Sequence, residues 1–331
     1  MSGDFPPADP AMSSEPRPTV GMSVFNTAVP SPARMYDYYL GGKDNYESDR
    51  RAADEIYTQI PDLPEIARDN RAFLQRAVRA FAETGIRQFI DIGAGLPTQG
   101  NVHEIAQQVD PASRVVYVDN DPIVLAHARA LLVSDPLGAT AYLDADLRDP
   151  DTIFRHPDLR DLIDFDQPVG LLMIAVLHFI TDEEDPWGLV SRYRSYLPVG
   201  SQIAIAHATS EDRPAEAVQK MTDVYKKASA PFNFRTRKQI LALFDGLSLL
   251  DPGLVPCPDW RRDPNTKASP SAGWNLAGVG ALPAIQLSGR VSPPVLRWHR
   301  HGGGQWGYGV DQHRSRGPAA GVRRAARPHR R

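Results

Sequence analysis

The stretch Phe89-Ile-Asp-Ile-Gly-Ala-Gly-Leu96, followed by Val115-Val-Tyr-Val-Asp-Asn-Asp121, decides the fold of this chain. Two short apolar runs each end in an acid, and the first opens into a glycine turn. Glycine has no Cβ and tolerates positive φ, so Gly93-Ala94-Gly95 lets backbone approach a ligand closely. Asp119, 24 residues beyond Gly95, stands where an acid accepts hydrogen bonds from ribose hydroxyls. This much describes any nucleoside-binding α/β domain.

Asp91 narrows the choice. Dinucleotide turns hold a pyrophosphate against backbone N–H groups at a helix N-terminus. Here Thr98 occupies the place of the usual third glycine. A carboxylate two residues before the first glycine repels phosphate in a partly buried site. S-adenosylmethionine has no phosphate; it carries an ammonium and a sulfonium, which a carboxylate favours. The motif therefore points to S-adenosylmethionine rather than NAD.

Outward from this stretch, strand and helix signals alternate. Strands are expected near 87–92, 114–118, 140–143, 169–177 and 201–207, with helices near 100–109, 121–133, 150–156 and 186–197. A helix over about 64–83 precedes them: Ile66, Phe73, Leu74, Ala77, Val78 and Phe81 make its apolar stripe, and Gly85 suits its C-cap. Helices near 212–229 and 235–244 and weaker strands near 247–250 and 274–280 follow. The pattern predicts an α/β fold, a mostly parallel sheet with helices on both faces.

Of 331 residues, 42% are hydrophobic, ample for a core. The longest apolar run, Val169 to Ile180, is broken by His178 and too short to span a bilayer. The N-terminus shows no secretory pattern. The one cysteine, Cys257, excludes an internal disulfide and suits a reducing cytoplasm, the expected location. Residues 1–29, rich in Pro, Ser and Ala, read as disordered. From Ala284 to Arg331 there are ten arginines, no lysine and one acid, Asp311. The rest of the chain carries 27 basic and 39 acidic side chains, so the net charge of −3 hides an acidic body and a basic tail. The tail reads as disordered and is assigned no function. The acidic body argues against a nucleic-acid substrate. No His/Cys cluster or HExxH spacing occurs, so no metal is expected.

Pro32-Ala-Arg-Met-Tyr-Asp-Tyr-Tyr-Leu-Gly-Gly-Lys-Asp-Asn-Tyr46 resembles the signature of a bacterial S-adenosylmethionine-dependent methyltransferase family first catalogued as a domain of unknown function. Asp69-Asn-Arg-Ala-Phe-Leu74, Asp91-Ile-Gly-Ala-Gly-Leu-Pro-Thr98, Asn101-Val-His-Glu104 and Val115-Val-Tyr-Val-Asp-Asn-Asp-Pro122 resemble its other blocks, in the same order. The resemblance covers roughly 30–283. It implies a class I, Rossmann-like methyltransferase core at 63–283 with an N-terminal helical cap at 30–62, and leaves the substrate undefined; a small-molecule methyl acceptor is expected. The rival readings are a cofactor-binding module without turnover and, disfavoured by Asp91, an NAD-dependent oxidoreductase.

Asp91 is expected near the cofactor's amino group, with Gly93 and Gly95 leaving the ligand room and Ala94 offering backbone. Asp119 is expected at the ribose and Asn120 at the adenine edge. Asp121 and Asp149 read as helix N-caps. By resemblance, Asp146 and Leu147 meet adenine. Ala175 to His178 should line the methyl-donor pocket, with His178 a candidate general base because imidazole titrates near neutrality. His207 has a lesser claim. Arg34, Tyr36, Tyr38, Lys43, Asn45 and Arg71 belong to a segment that either folds over the cofactor or packs as an ordinary subdomain. Tyr225, Phe232 and Phe234 form a substrate wall or plain core.

Overall fold

Runs of Ile, Val, Leu and Ala form strands here because helices cover both faces of the sheet, leaving no wet side. The computed structural model describes residues 26–97, 100–131, 135–265, 269, 273–283, 298–300 and 306–308. The expectations for residues 1–25, for Thr98 and for most of the tail lie outside the described residues.

Strands β1 (Gln88–Ile92), β2 (Arg114–Asp119), β3 (Ala139–Asp144), β4 (Gly170–Ile174) and β5 (Gln202–Ala208) are parallel. Strands β6 (Ser248–Leu249), β7 (Val255–Pro256) and β8 (Asn275–Ala281) complete an eight-stranded sheet in the order β3-β2-β1-β4-β5-β8-β6, with β7 also on β8. β8 runs antiparallel to β5. Strand order reverses between β1 and β4, so a crevice opens beyond their carboxyl ends, where such sheets bind ligands.

The helices are α1 (Pro32–Tyr39), α2 (Glu47–Tyr57), α3 (Leu63–Glu83), α4 (Val102–Val109), α5 (Pro122–Leu131), α6 (Pro150–Arg155), α7 (Pro157–Leu162), α8 (Pro186–Ser195), α9 (Ala215–Tyr225) and α10 (Arg237–Ala242). The single helix expected at 150–156 is two. Pro157 cannot continue α6, so His156 turns extended (ψ 130°) and Pro157 opens α7. Pro214 likewise delays α9 to Ala215, three residues after the expected start. β4 stops at Ile174, short of the expected 177: Ala175 adopts φ 54° and a 3-10 turn, Leu177–Phe179, follows. His178 therefore sits on that turn rather than at a strand end.

Strand alternation divides the core. Ile90, Ile92, Val116 and Val118 join a cluster that includes Ile153, Phe154, Leu189 and Tyr193 from α6 and α8. Phe89, Val115, Tyr117 and Leu172 face Phe73, Ala77 and Phe81 of α3. Asp91 shares the parity of Phe89 and so lies on the α3 side. A third cluster joins Met35, Tyr39 and Ile56 of the cap and Leu63 of α3 to Met221, Val224 and Tyr225 of α9. Helix α3 serves two clusters, its first turns packing with the cap and the rest on the sheet. The chain divides into a unit ending at Ala284 and another from Ile285. In the second unit, β9 (Trp298–Arg300) and β10 (Trp306–Tyr308) pair antiparallel, although no strand period was legible there. Among the described residues, no helix is long and apolar enough to cross a membrane.

Candidate cofactor and acceptor site

The turn after β1 is built by backbone pairing. Gly93 and Ala94 both donate N–H to Val118 O, at 2.8 and 3.2 Å. The two glycines, expected to act alike, differ. A Cβ on Gly93 (φ 71°) would lie 2.3 Å from Val176 Cγ2, so Gly93 is needed for packing between the β1 and β4 loops. A Cβ on Gly95 (φ 66°) would meet open space, and only that glycine borders room in its side-chain direction.

Gly95 N–H donates to Asp119 Oδ2, and Asp121 N–H to Asp119 Oδ1, both at 2.9 Å. Asp121 caps α5 through Ile123 N–H at 2.9 Å, as expected, and its other oxygen accepts from Ser31 Oγ of the cap. Asp149 caps α6 through Thr152.

These residues open onto a cavity of about 710 Å³. Asp91, Gly93, Ala94, Gly95, Asp119 and Asn120 line it. Ala175, Leu147 and His178 line it too. Burial pushes the Asp91 carboxyl up to about 7; the Arg71 charge opposes this and Asp119 adds to it. Burial raises Asp119 to about 6 against the pull of its backbone donors. A buried carboxylate pair of this kind favours a cationic guest and disfavours a phosphate.

Asp146 stands apart from its neighbours. Its Oδ1 accepts from Arg148 N–H at 2.9 Å and from the Arg148 guanidinium at 3.2 Å. Arg148 also binds Glu184 at 2.6 Å, and it is Ala145, Leu147 and Arg148 that line the cavity on this side.

His178 is buried against Phe232, their rings stacked 4.2 Å apart. Burial, then His207 and Arg235, hold its imidazole well below the usual histidine range. It is neutral at physiological pH but a weak base, so the titration near neutrality expected from the residue type is lost. His207 is engaged elsewhere. Its Nε2 accepts from Arg235 Nη1 at 2.7 Å, so Nδ1 carries the proton and donates to Ala208 O. Burial lowers it to about 3.

Arg235 gave no signal in the sequence. Almost wholly buried, it donates to Leu177 O, Ile180 O, Asp182 Oδ1 and His207, clamping the turn that carries His178. Asn233 holds the same turn, donating its N–H to His178 O at 2.7 Å.

The cap both packs and covers. Arg34 binds Asp49 at 2.8 Å in a buried ion pair, and Asp49 also accepts from the backbone of Ser31 and Tyr46. Tyr36 donates to Ala67 O at 3.0 Å. Arg34, Tyr36 and Arg71 line the cavity. Asn45 instead donates to Asp37 and Tyr38 to Asp54, while Lys43 is exposed. His103 sits against the Tyr117 hydroxyl at 2.8 Å, a core contact.

A family model described as S-adenosyl methyltransferase matches residues 19–283. This chain belongs to the S-adenosyl methyltransferase family. A structure of a DUF574 family protein from Streptomyces avermitilis is 43% identical, with TM-score 0.73, covering 78% of this chain and 99% of that one. A proposed methyltransferase from Thermobifida fusca is 40% identical, with TM-score 0.72, covering 78% and 97%. Among curated proteins there is no match.

The methyltransferase sheet is that of the class I fold, with β8 inserted antiparallel beside β5. The cofactor of the family, S-adenosylmethionine, agrees with what the cavity offers: two buried carboxylates for a cationic, hydroxyl-bearing guest, and open space at Gly95.

Proposed function

We propose that the cavity binds S-adenosylmethionine across the β1 and β2 ends and a small-molecule methyl acceptor beside it, under the cap and α9. Asp91 receives the amino-acid ammonium. Asp119, already oriented by Gly95 and Asp121, accepts from the ribose hydroxyls. Asn120 and Leu147 border the adenine, and Asp146 steadies Arg148 next to them. Gly93 and Ala94 supply the backbone floor, and Gly95 and Ala175 leave room at the turn.

When bound, the cofactor supplies a methyl group already activated by sulfonium, so the protein's work is alignment and exclusion of water. Cap residues Arg34 and Tyr36 and the α9 residues Met221 and Tyr225 close the cavity from above. His178, kept neutral by its surroundings, accepts a hydrogen bond from the acceptor rather than carrying a full proton. A cytoplasmic setting and a non-nucleic-acid acceptor accord with the single buried thiol and the acidic body.

The observation that carries this reading is the buried Asp91 carboxyl beside a glycine turn on the cavity wall. Calorimetric titration with S-adenosylhomocysteine and with NAD tests it: only the first should bind. Methyl-labelled cofactor incubated with an extract of the native cell should then label one small molecule. Binding of NAD alone would overturn the assignment.

A further inference from the structure

We propose that the acceptor end of the cavity selects a neutral, planar aromatic molecule, recognised by ring contacts centred on Phe232. This rests on reading the cavity as a joint cofactor and acceptor site.

Six ring-bearing residues, His178, Phe179, Tyr225, Phe232, Phe234 and Trp274, line the cavity. They come from the turn after β4, the end of α9, the loop beyond it and the residue just before β8. Phe232 is the hub: ring centroids lie 4.2 Å from His178, 4.9 Å from Tyr225, 5.5 Å from Phe179 and 4.9 Å from Phe234. Phe234 in turn meets Trp274 at 6.2 Å. Asn233, between Phe232 and Phe234, is tied to His178 O by both its backbone and side-chain N–H groups, so the wall is braced before any guest arrives.

Rings held at fixed angles discriminate by shape. Offset-stacked and edge-to-face contacts contribute about two- to tenfold in affinity per pair beyond area burial, which a saturated guest of equal size forgoes. Charge argues for a neutral guest. His178 is kept uncharged, and the Arg235 guanidinium behind it is taken up by Leu177, Ile180, Asp182 and His207. A cation would compete at Trp274, where Arg213 already lies 5.4 Å from the ring centroid. Size permits two guests: 710 Å³ is more than twice the roughly 300 Å³ at which ligand cavities begin.

The test uses the full chain. Calorimetry with S-adenosylhomocysteine first establishes cofactor binding on its own. The saturated protein is then titrated with 2-naphthol, with decahydro-2-naphthol and with tetramethylammonium chloride. We expect 2-naphthol to bind about tenfold more tightly than its saturated analogue, the ratio that one or two ring contacts supply. That preference should disappear in Phe232→Leu, and in Trp274→Leu should Phe232→Leu fail to fold, with S-adenosylhomocysteine still bound. Equal affinity for the two alcohols, tighter binding of tetramethylammonium, or no naphthol binding to the saturated protein overturns the proposal. Failure of S-adenosylhomocysteine itself to bind overturns the cofactor reading, and the proposal with it.

Discussion

Gly95 donates its backbone N–H to Asp119 Oδ2 at 2.9 Å, and that bond ties the turn after β1 to the acid that ends β2. The carboxylate is thus aimed before any ligand binds. Asp119→Ala removes both the acceptor proposed for the ribose and the brace on the turn. S-adenosylhomocysteine affinity should fall by about 1–3 kcal/mol, the loss of hydrogen bonds to a charged acceptor. Unchanged affinity by calorimetry would leave Asp119 with the brace alone.

Asp91 should make the protein's cofactor affinity depend on pH. Its carboxyl is raised to about 7 in the folded chain by burial. The folded state therefore holds this proton more tightly than the unfolded chain does. The resulting stabilisation is complete below the ordinary carboxyl value, near 3.8, and is lost as pH rises through about 7. The ammonium proposed to sit beside Asp91 would favour the ionised form, so binding should release a proton. S-adenosylhomocysteine should bind more tightly as pH climbs through that range, with proton release in buffers of different ionisation heat. Asp91→Asn should abolish the release.

The two glycines of the turn separate packing from ligand space. Both sit at positive φ, where a side chain costs about 1–2 kcal/mol. Gly93→Ala adds a clash with Val176, and overpacking costs a further ~1–3 kcal/mol. Chemical denaturation should show Gly93→Ala as the less stable variant. Gly95→Ala should fold but lose cofactor affinity, because its methyl enters the cavity.

Arg235 acts on the site from behind. Arg235→Met leaves His207 Nε2 without its donor, at about 1–3 kcal/mol for that buried orphan, and takes one donor from each of the Leu177 and Ile180 carbonyls, which keep the Ile180 N–H and the Asn233 amide. Hydrogen exchange should quicken most between Leu177 and Asp182. Protection unchanged in that turn would show that Asn233 alone holds it.

The cap ion pair tests whether the N-terminal signature is structural. Arg34→Leu strands Asp49, which is fully buried, and breaking such a pair costs about 3–5 kcal/mol. The double variant Arg34→Met, Asp49→Leu should recover much of that loss in thermal unfolding.

Much of the fold was legible because it is local. Apolar runs with flanking turns marked β1 to β5, and the α3 stripe and Gly85 marked that helix within a residue. Asp121 and Asp149 could be named as caps because a cap acts two or three residues away. The misjudged boundaries, at α6, α9 and β4, have local causes too: Pro157, Pro214 and the left-handed Ala175. The two prolines are written in the sequence; the third is a conformation that alanine rarely adopts.

Spacing and residue type by themselves determined that this chain builds a mostly parallel sheet with an acid-flanked glycine turn, since period and turn chemistry act over a few residues. Tertiary structure alone decided which glycine borders open space, that Asp146 turns to Arg148, and that His178 is a weak base. It also decided that Arg235 anchors the turn, with partners as far as 58 residues away. Burial and charge at a point are sums over every element packed there, and no short window of sequence contains them.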